Sequence, residues 1–232
     1  MEKLDPPGND VVTFRRIRKA IGILGISLPI ILIVFSSLNL SHTGFQFSIS
    51  HYYFSNFREI FTGILCSVGL FLILYKGHKN PVIWKNDSLM TNLAGTMAFG
   101  IAFFPTSPID CNQKIYTIVP ICGEWLGYLH YGFATVFFFI LAIISIFVFT
   151  IGQVPPKDGE KSVLNENNIY VTCGILIILF MILTFVFEKL NFFKYSTLIF
   201  EALMLFAFGI SWLIKGRILG DKGEVGKKLY NE

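Results

Sequence analysis

Apolar residues in this chain come in long continuous blocks, and they do not recur at the spacing of a half-buried strand or an amphipathic helix. A helix of about 20 residues crosses about 30 Å of hydrocarbon, and it satisfies its backbone polar groups internally, as lipid requires. We therefore predict an all-α integral membrane six-helix bundle over residues 20–215, between tails at 1–19 and 216–232. The predicted spans are residues 20–39, 57–75, 88–106, 128–150, 169–187 and 196–215.

The 19 lysines and arginines are divided unevenly between the two sides of the predicted membrane. Fifteen lie in the two tails, at the last residue of the sixth span and in the loops after the second and fourth spans, and four lie on the opposite side. Lys and Arg accumulate on the cytoplasmic side of membrane proteins. We expect both termini to be cytoplasmic and the protein to lie in the cell membrane. The polar segments that then face outward are 48–59, 110–126 and 188–194.

The composition agrees with this pattern. Hydrophobic residues make up 53% of the chain and charged residues 15%, whereas a soluble domain carries about 25% charged residues. The polar segments are too short to form a separate soluble domain. The net charge of +4 is explained by the expected topology, so no nucleic-acid partner is expected.

A ribbon of small residues runs along the third predicted span. Ala94, Ala98 and Ala102 are spaced four apart, with Gly95 and Gly100 beside them. Such a ribbon lets two helices approach closely. It favours packing within the chain, and it also permits a homo-oligomer.

Ionisable residues inside or beside the spans provide the candidate site. Arg58 and Glu59 open the second span, His130 opens the fourth, and Glu201 lies one to two turns inside the sixth. All of them fall in the outer half of the predicted membrane, and buried charges in such helices usually face the protein interior. We predict a polar pocket there that binds or senses a lipid headgroup or a small amphiphile. The predicted ligand-binding residues are Tyr52, Tyr53, Arg58, Glu59, His130 and Glu201.

The sequence is consistent with more than one role for these residues. Arg58 is suited to an anionic headgroup or to pairing with Glu201, but it and His130 are equally consistent with interfacial residues whose polar ends reach water. A membrane-embedded lipid hydrolase or transferase using His130 with Glu201 or Asp110 is the first alternative. An oligomerising membrane effector or a transporter is the second. No ligand spacing for a metal and no nucleotide motif is present, so neither a metal nor a cofactor is expected.

Two cysteines lie in one predicted outer loop. Cys111 and Cys122 are separated by ten residues, and an outward-facing loop can meet oxidising conditions. They are candidates for a disulfide that braces the loop, although spacing alone does not fix the geometry that a disulfide needs.

The order of these motifs resembles the DUF998 family of bacterial six-span membrane proteins, which is related to the Frag1/DRAM/Sfk1-like superfamily. The resemblance covers nearly all of residues 20–216, and it implies a location in the bacterial inner membrane. Eukaryotic relatives are linked to membrane-lipid handling, so the resemblance implies a membrane lipid as the partner. The family pattern has an Asp where this chain has His51. The matching positions are Ser48, Ser50, Tyr52, Tyr53, Arg58, Glu59, Phe104, Pro105, His130 and Glu201.

Overall fold

The computed structural model of the protein describes residues 9–108, 111, 117, 119, 122–151, 165–190 and 192–220. Over these residues the chain is helical and contains no strand, which confirms the all-α prediction. Three short 3₁₀ segments lie in the linkers on either side of the second helix. The long helices are α1 Asn9–Ser37, α2 Arg58–Leu74, α3 Asp87–Phe103, α4 Glu124–Ile143, α5 Glu166–Leu190 and α6 Ser196–Lys215.

Four of these helices, α1, α4, α5 and α6, are long and apolar enough to cross a membrane. The other two, α2 and α3, have 17 residues each. Many large apolar side chains of the four longer helices face outward from the bundle, including Ile23, Phe139, Ile182 and Ile210. A soluble chain would bury such residues, so their exposure supports the membrane class.

Several helix boundaries differ from the spans predicted from hydropathy. Helix α1 begins at Asn9, inside the predicted tail, because residues 9–19, which mix polar with apolar side chains, continue the same helix. Helix α3 ends at Phe103, ahead of residue 106, because Pro105 disfavours the helical conformation in the residue before it. Helix α4 passes directly into a π-helical turn, Ile144–Val148.

Successive helices run in opposite directions, and side-chain contacts define the two ends of the bundle. Arg18 near the start of α1 donates to the hydroxyl of Tyr75, which follows α2. Lys215 at the end of α6 donates to the carbonyl oxygen of Phe149. We call this end, where α1 begins and α6 finishes, the Lys215 end.

The opposite end is organised around the linker between α1 and α2. Ser36 near the end of α1 shares a hydrogen bond with Tyr52 of the linker. Glu201 in the second turn of α6 accepts a hydrogen bond from the backbone of Ile49. We call this end the His51 end, after the histidine at its centre.

Glycines set the closest helix contacts. A Cβ atom on Gly22 of α1 would lie 2.8 Å from the carbonyl oxygen of Gly209 in α6, and one on Gly95 of α3 would lie 2.6 Å from that of Gly69 in α2. A larger residue at either position would force the two backbones apart, because the obstacle is backbone rather than a flexible side chain.

The small-residue ribbon predicted on α3 is buried inside the chain. Ala94, Ala98 and Ala102 are at most 1% exposed, and Gly95 beside them packs on α2. The ribbon therefore serves contacts between helices of one chain.

Candidate functional site

The site at the His51 end begins with the linker that joins α1 to α2. Its central part is a 3₁₀ segment, Ser50–Phe54. The Oε2 atom of Glu201 accepts hydrogen bonds from the backbone N–H groups of Ile49 at 2.6 Å and Ser50 at 3.4 Å. A carboxylate at the start of a helical segment satisfies N–H groups that the segment itself leaves unbonded. Glu201 thus fixes the linker on α6.

His51 lies in the same segment and is held by its neighbours. Its Nδ1 atom is 2.7 Å from the Oγ atom of Ser48, and the same Oγ atom accepts the backbone N–H of His51 at 3.1 Å. Burial lowers the pKa of His51 below its ordinary value, while a backbone hydrogen bond with Ser107 acts in the opposite direction. The ring is therefore favoured in its neutral form.

A polar cavity of about 380 Å³ lies beside His51 and Glu201. Its wall is formed by the linker, the turn after α3, and the adjoining ends of α4, α5 and α6. Hydroxyl groups, one lysine and two carboxylates supply its polar surface. The lining residues are Phe47, Ser48, Ser50, His51, Thr106, Tyr131, Phe187, Glu188, Phe193, Lys194, Ser196, Thr197 and Glu201.

A larger apolar groove of about 980 Å³ adjoins this cavity and runs along α4, α5 and α6. Its walls are mainly aliphatic and aromatic side chains such as Val136, Phe138 and Met181. The groove and the polar cavity share four residues, which join the two into one amphipathic depression. The shared residues are Tyr131, Glu188, Thr197 and Glu201.

Of the six residues predicted to bind a ligand, Glu201 lines the polar cavity. Tyr52 is fully buried, with its hydroxyl 2.7 Å from the Oγ atom of Ser36. Tyr53 is also buried, and the guanidinium carbon of Arg58 lies 5.1 Å from the centre of its ring. Burial raises the pKa values of both tyrosines. Tyr52, Tyr53 and Arg58 do not line the cavity, and Glu59 is exposed.

His130 has a structural position as well. It is 1% exposed, and its Nδ1 atom is 2.7 Å from the carbonyl oxygen of Phe104. This contact joins the start of α4 to the turn after α3, and His130 does not line the cavity. Asp110, its other predicted acid partner, lies outside the described residues.

Several cavity residues escaped the sequence analysis. The Nζ atom of Lys194 lies 5.3 Å from the ring centre of Phe47 and 5.2 Å from that of Tyr195, so the ammonium group is held at the cavity rim by aromatic faces. Thr197 and Tyr131 contribute hydroxyl groups. The available signal was weak: a lysine followed by hydroxyl residues at the start of an apolar helix.

The two candidate disulfide residues are neighbours in space. The Sγ atom of Cys122 is 3.4 Å from the carbonyl oxygen of Cys111. The backbone thus brings the two cysteines together, and the disulfide itself stays a prediction. Within the described part of the chain, no group of three His, Cys, Asp or Glu side chains is placed to hold a metal ion.

Comparisons of the chain with protein-family models, with curated proteins and with solved structures find no match.

Proposed function

We propose that this chain is a multi-pass membrane protein that binds the headgroup of a lipid or small amphiphile at the His51 end. One observation carries the proposal: a polar cavity and a long apolar groove share Tyr131, Glu188, Thr197 and Glu201. An amphiphile needs both surfaces next to each other, with hydrogen-bonding groups for its head and apolar walls for its chain. The resemblance to the DUF998 family, whose relatives handle lipids, points in the same direction.

The lining also favours a class of headgroup. Lys194 is the only lysine or arginine among the described residues of the polar cavity, and Glu188 and Glu201 are its two carboxylates. Hydroxyl groups of serines, threonines and Tyr131 fill the space between them. Lys189 adds a second ammonium group in the adjoining groove. Mixed charge and many hydroxyl groups suit a zwitterionic or hydroxyl-rich head better than a strongly anionic one.

The proposed topology has six spans with both termini in the cytoplasm. Helices α2 and α3 are shorter than the rest, but each extends from one end of the bundle to the other. Helix α2 runs from Arg58 to Leu74, directly before Tyr75, and α3 runs from Asp87 to the turn bonded by His130. The excess of Lys and Arg at the Lys215 end supports a cytoplasmic location for that end. Exposed Trp125 and Tyr128 at the other end fit an aromatic belt in the outer leaflet of a cell membrane.

The groove offers a test that leaves the polar cavity intact. A Cβ atom on Gly132 of α4 would meet no atom within 4 Å, and Gly132 lines the groove. We therefore expect Gly132→Phe to fold and to place a ring in the space of the acyl chain. Lipids that copurify with the protein in native-membrane particles, identified by mass spectrometry, should be enriched for one headgroup class and should decline in this variant.

Gly63→Phe is the matched control. Gly63 lies on α2, is exposed, and likewise has no atom within 4 Å of an added Cβ, but it does not line the groove. We expect wild-type lipid retention in this variant. Equal retention in both variants, or no enriched headgroup class in the wild type, would contradict the proposal.

A lipid hydrolase or transferase is the second candidate, and the contact of Ser48 with His51 inside the cavity favours it. A hydroxyl group next to a neutral imidazole is the usual arrangement of a nucleophile and its base. Turnover of a retained lipid that is lost in both Ser48→Ala and His51→Gln would support the enzyme. Turnover that instead depends on His130 would support the pairing predicted from the sequence, and no turnover would leave lipid binding as the function.

A further inference from the structure

A second cavity, of about 390 Å³, lies at the Lys215 end of the bundle. It is enclosed by the first turns of α1, the residues that follow α2, the start of α5 and the end of α6. It lies at the opposite end of the helices from the amphipathic depression. The lining residues are Val11, Phe14, Arg15, Arg18, Tyr75, Lys76, Gly77, His78, Glu166, Lys215 and Arg217.

The guanidinium group of Arg18 is hydrogen-bonded in the wall of this cavity. Its Nε and Nη2 atoms donate to the hydroxyl oxygen of Tyr75 at 3.1 and 2.6 Å. The same hydroxyl donates to the Oδ2 atom of Asp87 at 2.9 Å. Tyr75 is 1% exposed and Asp87 5% exposed, so the carboxylate lies behind the tyrosine and not in the cavity wall.

Lys215 is held in a comparable way from α6. Its Nζ atom donates to the carbonyl oxygen of Phe149 at 2.7 Å. It also lies 5.5 Å from the ring centre of Phe149 and 5.3 Å from that of Tyr170. The hydroxyl of Tyr170 donates to Glu166 at 3.0 Å. An ordinary interfacial lysine extends into water, whereas this one is packed among rings at a cavity wall.

Among the described residues that line this cavity, cations outnumber carboxylates. Five lysines and arginines line it, together with His78, against one lining carboxylate, Glu166. Counting Asp87 as well still leaves more cations than carboxylates. A concave surface lined mainly by groups of one charge sign raises the local concentration of oppositely charged ligands. The cationic lining residues are Arg15, Arg18, Lys76, Lys215 and Arg217.

We propose that this cavity binds a phosphate-bearing anion, either a phosphomonoester or a diphosphate. Arginine presents a planar fork that matches phosphate oxygens, and lysine adds a compact charge. The volume lies in the range of small-molecule sites. Basic pockets between membrane helices on the cytoplasmic side bind anionic lipid headgroups, and a water-soluble phosphate offers the same chemistry.

A pair of double variants tests the proposal. Arg15→Gln/Lys76→Gln removes two charges from the cavity lining. Arg16→Gln/Lys79→Gln removes two charges from neighbouring exposed positions that do not line it. Both variants keep Tyr75, Asp87 and Lys215, which support the fold. Binding is measured at constant salt on full-length protein in phosphatidylcholine nanodiscs, with inorganic pyrophosphate as the soluble probe and phosphatidic acid in the bilayer as the lipid probe.

We expect saturable binding of at least one probe, weakened about tenfold or more in the cavity variant and nearly unchanged in the surface variant. Binding of pyrophosphate alone identifies a soluble ligand, and binding of phosphatidic acid alone identifies a lipid headgroup; either supports the site. Equal weakening in both variants would reduce the effect to general surface attraction and would overturn the proposal. Absence of saturable binding by either probe would overturn it as well.

Discussion

Each end of the bundle contains a carboxylate that is hydrogen-bonded to another segment of the chain, but the two carboxylates accept from different kinds of donor. Glu201 at the His51 end accepts hydrogen bonds from backbone N–H groups of Ile49 and Ser50. Asp87 at the Lys215 end accepts from the hydroxyl of Tyr75, which in turn accepts from Arg18. Backbone donors fix a loop and bring no charge with them. Side-chain donors can bring a cation, and here they place one in a cavity wall.

This difference explains why the two cavities have different chemical character. At the His51 end the contacts around the carboxylate involve neutral groups, and the adjoining cavity carries mixed charge beside an apolar groove. At the Lys215 end the described residues that line the cavity include more cations than carboxylates. The same helical scaffold thus carries the proposed amphiphile site at one end and the proposed anion site at the other.

The largest effect is expected from removing the hydroxyl that links Asp87 to Arg18. Tyr75→Phe leaves Asp87 buried with neither carboxylate oxygen hydrogen-bonded, because its Oδ1 atom already has no hydrogen-bond partner. Breaking a buried charged contact by removing one partner costs about 3 kcal/mol. Denaturant titration in mixed micelles should show a loss of that size in the free energy of unfolding.

The double variant Tyr75→Phe/Asp87→Asn is its control. The amide at position 87 leaves no charge buried without a partner, so we expect the double variant to be more stable than Tyr75→Phe alone. If the stability losses of the two single variants simply add in the double variant, Tyr75 and Asp87 act independently. Their contact would then not explain the stability of the Lys215 end.

At the His51 end the matching change is Glu201→Ala. It leaves the N–H groups of Ile49 and Ser50 without their acceptor and should cost about 2 kcal/mol, since hydrogen bonds to charged groups are worth about 1.5–3 kcal/mol. Glu201→Gln keeps one acceptor oxygen and should cost less. The same micelle titration checks both, and a smaller loss for the alanine variant than for the glutamine variant would contradict the capping role.

A neutral contact at the same end should matter less. Tyr52→Phe removes the hydrogen bond with Ser36, whose side chain is 4% exposed, together with a backbone hydrogen bond with Gln46, and should cost about 1 kcal/mol. In the double variant Ser36→Ala/Tyr52→Phe no hydroxyl is left unbonded, so the loss should not exceed that of Tyr52→Phe. A clearly larger loss in the double variant would show that packing, and not the hydrogen bond, sets the energy of this contact.

The helices could be predicted from the sequence because hydropathy and proline positions determine where a helix lies without reference to distant residues. Helix α6 has the bounds of its predicted span, and α2 differs by one residue at each end. Glu201 could be singled out because an acid inside an apolar block needs a partner. Its partner could not be named, since backbone N–H groups of Ile49 leave no mark in a sequence.

The cluster at the Lys215 end was less predictable than the one at the His51 end. Lys215 and Arg217 match the ordinary pattern of positive charges at a membrane boundary. Nothing local distinguishes such a lysine from one that packs against Phe149 and Tyr170. Asp87 and Tyr75 become partners only when α2 and α3 pack together, so their contact is tertiary information.

Replacing His51 is expected to have the smallest effect on stability, and this effect depends on pH. Burial lowers its pKa in the folded protein, with the backbone hydrogen bond to Ser107 acting in the opposite direction. The unfolded chain therefore binds a proton at this residue more readily. The stability that neutral His51 provides is present above about pH 6.5 and is lost as the pH falls. Between about pH 7.5 and about pH 5.5, the melting temperature of His51→Gln should fall less than that of the wild type, because the variant lacks this proton uptake. An equal fall in both proteins would show that other groups cause the acid sensitivity and that His51 does not contribute to it.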